Sequence, residues 1–153
     1  MLKYLILGLL GLAVAMAVYV RLAPTNVADW HEIDVQNEGG NAGAGGYFKR
    51  LQLLNQTGKL AALDQIIMAT PRTQRLAGDV ESGTITYVTR SGLWGFPDYT
   101  TVTLGGEGTS MGPTLMIYGR LRFGASDLGV NRDRIEGWCE QLSLQDTADT
   151  PTQ

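Results

Sequence analysis

The sequence predicts an α+β domain: a small antiparallel sheet of three to four strands packed against two helices and preceded by an N-terminal transmembrane helix. Three observations predict it. An unbroken apolar run opens the chain. Four short segments of strand character lie between residues 73 and 123, joined by short turns rich in glycine. Apolar residues at helical spacing flank them, at 60–67 and 135–142. Connections this short favour antiparallel neighbours.

The opening run follows Lys3, extends from Tyr4 to Val20 and stops at Arg21. About 17 residues is the lower end of what crosses a bilayer as a helix. The run has no polar face, which argues against a helix buried in a soluble core. A cleaved secretory signal competes with an uncleaved anchor, because Ala13-Val14-Ala15 and Ala15-Met16-Ala17 are suitably small for cleavage. The run continues past the first of these sites without a polar cleavage region, so residues 1–21 read as an anchor in preference to a signal. Lys3 and the amino terminus before the span, against Arg21 after it, push weakly toward an inside amino terminus. The expectation is a single-pass cell-membrane protein that meets the bilayer through residues 4–20. The rest of the chain then lies on the extracytoplasmic side, in the periplasm or cell envelope.

Residues 22–46 read as a flexible tether. "LAPTNVADWHEIDVQ" is mixed and acidic, and glycines at 39, 40, 43, 45 and 46 make persistent structure costly. About 25 such residues have an end-to-end distance on the order of 25–30 Å, which would let the domain float near the membrane. Trp30 rests at the interface or on the domain, and His31 is read as exposed.

The α+β domain is placed at 47–145. "YFKRLQLLNQ" has Phe48, Leu51 and Leu54 at helical spacing and reads as a short helix. "GKLAALDQIIMAT" sets Leu60, Leu63 and Ile67 on one helical face, and Thr70 before Pro71 ends it. "TQRLAG", the β-branched "GTITYVTRS", "YTTVTL" and "TLMIYGRLRF" read as four strands. In the last of these, alternation puts Leu115, Ile117, Leu121 and Phe123 toward the helices and Met116, Tyr118, Arg120 and Arg122 on the other face. In the "SGLWGFPD" connection, Pro97 and Gly95 shape a turn. Trp94 and Phe96 there either fill space between sheet and helix or expose an apolar patch. A final helix carries Ile135, Trp138, Cys139 and Leu142 at i, i+3, i+4 and i+7, with Asn131 as its expected N-cap. Residues 146–153 are polar and read as a disordered tail.

Composition removes several function classes. A net charge of −3 provides no basic field for nucleic acid. A single cysteine, Cys139, permits neither an intrachain disulfide nor a cysteine-rich metal site. The one histidine, His31, precedes the domain, so histidine-based catalysis inside it is excluded. No cofactor, metal site or catalytic set is recognised.

The polar residues that invite a role are Arg90, Asp98, Arg120, Arg122, Asp127, Asn131, Arg132 and Arg134. After Lys59 every basic residue is arginine, whose planar fork grips carboxylates or phosphates with two hydrogen bonds. Acidic residues nearly balance them, so internal ion pairing of Asp98 and Asp127 with arginines is one expectation. Arginines left over to hold an anionic group form the other. Arg132 and Arg134 sit at the positive end of the last helix, where they do not complement its dipole. Carboxylate partners or an anionic ligand would account for them.

"TPRTQRLAG", "YVTRSGLWGFPDYTTV" and "RLRFGASDLGVNRDRIEGW" together resemble the bacterial and plastid family called domain of unknown function 1499. The resemblance covers about residues 60–142. It implies one small domain, often carried behind an export or membrane segment, and it supplies no catalytic residues. Two functions follow as expectations. One is a membrane-anchored binding or scaffold module of the cell envelope, taking an anionic ligand or an envelope protein. The alternative is an envelope enzyme using Asp98 and Asp127 as acid and base, with arginines, on a phosphate or sugar.

Overall fold

A computed structural model describes residues 1–33, 40–43, 45–106 and 112–148 of the chain. Helix α1 (Leu2–Leu22) is followed by a one-turn helix α2 (Ala28–His31) and a two-residue strand β1 (Gly40–Asn41). Then come β2 (Tyr47–Gln52), α3 (Lys59–Met68), β3 (Thr73–Asp79), β4 (Thr84–Arg90), β5 (Pro97–Gly105), β6 (Thr114–Leu121) and α4 (Val130–Ala148). The strands form one antiparallel sheet in the order β1-β2-β6-β5-β4-β3. The α+β class is as expected, with five longer strands and a two-residue edge where three to four were anticipated.

The additional strand is β2. Residues 47–52 form a strand and not the short helix that Phe48, Leu51 and Leu54 predicted. Their spacing also satisfies a strand whose two faces are both occupied. Tyr47 and Leu51 belong to or pack against the helix-side core, while Phe48, fully buried, lies on the opposite face. Pairing decides the outcome. β6 would otherwise present a bare edge, and β2 satisfies it from Tyr47↔Gly119 to Gln52↔Thr114. Leu54 lies beyond the strand and is exposed.

Helices α3 and α4 cover one face of the sheet. Leu60, Leu63 and Ile67 of α3, and Ile135, Trp138 and Leu142 of α4, close on Ile85, Tyr87, Val102, Leu115 and Ile117. Burying each large side chain of this set stabilises the domain by about 1.5–3 kcal/mol. Gly119 lets α4 approach: a Cβ there would lie 2.9 Å from Ile135 Cδ1 and 3.3 Å from Asn131 Cβ. The Trp138 indole N–H donates to Thr70 Oγ1 at 2.8 Å, tying α4 to the end of α3. Helix α4 continues through Ala148, past the start of the expected tail; residues 149–153 lie outside the described residues.

The opposite face of the sheet is covered by the segment that follows α1. Helix α1 is long and apolar enough to cross a membrane, by length and composition. Its last turn packs on the domain, with Val20 buried and Tyr19 edge-on to Phe123. Residues 23–31 then run over the sheet as a strap. The free-tether expectation therefore does not describe these residues, because their backbone carbonyls and Trp30 find partners on the sheet. Residues 34–39 and 44 of that expected tether lie outside the described residues.

Candidate functional site

The strap is held by side chains that alternation along β6 points away from the helices. The Arg122 guanidinium donates to Pro24 O at 2.6 Å, Thr25 Oγ1 at 2.7 Å and Ala23 O at 3.3 Å. It also donates to the Tyr99 hydroxyl at 3.1 Å. Thr25 Oγ1 and Tyr99 Oη share a further hydrogen bond of 2.7 Å. Arg120 donates to Trp30 O and to Thr101 Oγ1, and lies over both the Trp30 and Tyr118 rings, at 5.2 and 4.7 Å from their centroids. Burial lowers the Arg120 pKa from the usual arginine value. His31 Nδ1 meets Thr86 Oγ1 at 2.9 Å, so this ring is engaged with the sheet and not simply exposed.

Thus Arg120 and Arg122 have no ion-pair partner among the described residues. Their acceptors are chiefly main-chain carbonyls of residues 23–30. Arg90 behaves alike, donating to Gly95 O at 3.1 Å while its own carbonyl accepts from Arg72 Nε at 3.0 Å. Internal ion pairing joins Arg134 to Asp98 and Arg75 to Asp64. It does not describe Arg90, Arg120 and Arg122, because carbonyls outnumber carboxylates wherever loop backbone crosses a sheet.

The remaining candidates meet at the start of α4, on the helix side. Arg134 bridges Asp98, at 3.2 Å, and Asn131 Oδ1, at 3.1 Å. Asn131 is not the N-cap. It lies inside α4, almost fully buried, and donates to Gly45 O at 2.9 Å. Asp127 takes the capping role: its two oxygens accept from the backbone N–H of Gly129, at 3.1 Å, and of Asn131, at 2.7 Å. Asp127 thus complements the helix dipole and has no arginine partner among the described residues. Arg132 is exposed and borders a polar recess with Gly45, Tyr47 and Ser126.

Asp98 and Asp127 also border one cleft of about 580 Å³, between the last turns of α1 and the loops 91–96 and 123–130. Its other walls are mainly apolar: Met16, Tyr19, Phe96, Leu121 and Phe123. Burial holds the Asp98 pKa above the usual carboxylate value; Arg134 opposes this and Asp127 adds to it. Cys139 is half-buried, and its thiol is pushed up to about 11 by burial, so it is not a thiolate at neutral pH. No cluster of metal-ligating side chains occurs among the described residues.

Residue types alone gave no sign of two other networks. Asp64 of α3 accepts from Arg75 at 2.6 Å and from the buried Tyr87 hydroxyl at 2.8 Å. Glu136 of α4 accepts from Tyr47 and, at 3.0 Å, from Lys49. Both join a helix to a strand, and the second depends on β2 being a strand, which places residues 47 and 49 on one face.

Residues 36–142 match the model described as a protein of unknown function (DUF1499). The match takes in β2 and the whole helix-covered sheet and leaves out α1 and the strap. No curated protein matches the chain.

Proposed function

The chain belongs to the DUF1499 family, whose description assigns no activity, and on that premise we propose that it is a membrane-anchored, extracytoplasmic binding module of the cell envelope. One observation supports the anchored geometry, while the extracytoplasmic side rests on the charge bias about the span. The segment after the membrane-length helix is strapped down: Arg21 donates to Trp94 O at 2.8 Å and Arg122 grips residues 23–25. Gly95 makes room for that contact, since its φ is +74° and a Cβ would lie 2.9 Å from Arg21 Cζ. Helix and domain therefore form one body, which sets the domain close against the bilayer and fixes which face it turns there. The commitment of Arg90, Arg120, Arg122, Arg134 and both carboxylates to internal partners supports binding over catalysis.

Membrane fractionation of the full chain tests the anchor. Carbonate-washed membranes should retain it, and a chain lacking residues 1–21 should be released. Recovery of the full chain in the soluble fraction would falsify the anchoring. Protease added to intact spheroplasts should digest the domain if it lies outside, and protection would place it in the cytoplasm.

The enzymatic alternative has one observation in its favour: Asp98 and Asp127 share a cleft, and Asp98 has a raised pKa. Against it, Asp127 spends both oxygens on the Gly129 and Asn131 amides at the start of α4, and Asp98 is bonded to Arg134. Hydrolysis of phosphate or sugar esters by the wild type, abolished in a folded Asp98→Asn variant, would favour it.

A further inference from the structure

The cleft beside α1 has a feature that its two carboxylates do not explain: it continues along the helix. A second hollow of about 700 Å³ shares Met16, Tyr19 and Phe96 with it and extends between Leu9 and Leu12 of α1 and Trp94. At 1.5 Å per residue, Leu12 lies about 15 Å from the end of α1 at Leu22. If α1 crosses the bilayer, these walls reach hydrocarbon depth, and the hollow opens among lipid tails and not into water.

The loops around it fit that setting. Leu93 is 79% exposed and Leu128 92%, both apolar tips, and Trp94, 41% exposed, lines the second hollow. Leu128 is moreover held at φ +55°, a conformation leucine rarely adopts. Tryptophan beside a span is characteristic of the membrane interface. The polar lining is Ser91, Asp98, Ser126 and Asp127, with no lysine or arginine among the described residues that line the cleft. The carboxylates of Asp98 and Asp127, though engaged by Arg134 and by the Gly129 and Asn131 amides, keep lone pairs that suit a hydroxyl or ammonium group and disfavour an anionic headgroup. Each hollow lies within the roughly 300–1,000 Å³ usual for small-ligand sites.

We propose that the continuous cleft between α1 and the loops 91–96 and 123–130 binds an acyl chain of a neutral or zwitterionic membrane lipid. The tail lies along Leu12 and Met16 and the polar end near Ser126 and Asp127. This rests on α1 spanning the bilayer, and it names a ligand for the binding module where the arginine face offers none.

The test uses the full chain in phosphatidylcholine nanodiscs carrying a small fraction of phosphatidylcholine with a photoactivatable diazirine midway along one acyl chain. Irradiation and peptide mapping should place adducts on Phe96, Phe123 and Leu128, as well as on the exposed α1 residues Leu5, Leu7 and Leu10. Val130→Trp, at a half-exposed rim position, should remove the cleft adducts and leave those on α1. Replacing the probe with the equivalent phosphatidylglycerol should lower cleft labelling only. Adducts confined to α1, or cleft adducts undiminished by Val130→Trp, would overturn the lipid site while leaving the anchor intact. Equal cleft labelling by both headgroups would overturn the preference argued from the carboxylates. Absence of adducts on α1 itself would remove the anchor, and the lipid site with it.

Discussion

Trp30 lies flat on Tyr99, with ring centroids 4.1 Å apart and planes 27° from parallel. The Tyr99 hydroxyl in turn holds Thr25 and Arg122, so a single β5 residue clamps both ends of the strap. The covered sheet face is thereby closed by the chain's own N-terminal segment.

Trp30→Ala removes this stack and uncovers Arg120. Aromatic stacking adds about 0.5–1.5 kcal/mol beyond area burial, so a loss of about 2–3 kcal/mol is expected once the buried ring area is included. Chemical denaturation gives the loss. Limited proteolysis should cut within residues 23–33 of the variant and spare the wild type.

Arg122→Lys separates a structural fork from a bare positive charge. A lysine ammonium cannot reach Pro24 O, Thr25 and Tyr99 together. Losing charge-assisted hydrogen bonds of this kind should cost about 1.5–3 kcal/mol. Fluorescence of a label at position 26 should show the strap loosening, while affinity for anionic vesicles stays unchanged because the charge is retained. A variant with full stability and weakened vesicle binding would mean that Arg122 serves an anionic ligand after all.

Two carboxylates should give opposite pH slopes. The Asp98 pKa is raised by burial, so the native state holds that proton more tightly than the unfolded chain. Its contribution to stability falls as pH rises from the ordinary carboxylate value, about 3.9, toward the raised one. Glu136 is lowered by hydrogen bonds from Tyr47 and Lys49. Its contribution is present above the ordinary value and lost as pH falls through the depressed one. Glu136 is 40% exposed, so its share is below about 1 kcal/mol. Denaturation midpoints between pH 3 and 7 should lose the rising component in Glu136→Gln and the falling component in Asp98→Asn.

Leu128→Asn should stabilise the domain while weakening its hold on lipid. Asparagine adopts positive φ more readily than leucine, relieving part of the roughly 1–2 kcal/mol cost. A higher midpoint in denaturant, together with fewer diazirine adducts in the cleft, is the expected pair of results. A lower midpoint would mean that Leu128 packs against something the fold requires.

Much of this architecture follows from local sequence. The β-branched run 84–90 makes β4, the stripe Leu60, Leu63 and Ile67 makes α3, and Ile135, Trp138 and Leu142 make the buried face of α4. The unbroken apolar run makes a helix long enough to cross a membrane. In the domain elements one periodicity or one residue class dominates over enough residues to outweigh its rival, and in α1 length and uniform apolarity suffice. Residues 47–52 carry both periods, and only the open edge of β6 selects the strand.

What tertiary structure alone decided concerns acceptors that have no letter in the sequence. The arginine fork suits carboxylates, yet Arg90, Arg120 and Arg122 bond to carbonyls, which every residue carries. Asn131 has an N-cap's chemistry, but the absent Cβ of Gly119 draws α4 close enough to bury it, leaving the cap to Asp127. The cleft joins α1 to two distant loops, and its shape exists only once the strap has folded the helix back against them. Periodicity is a property of neighbours in the chain, whereas burial and the choice of acceptor belong to neighbours in space.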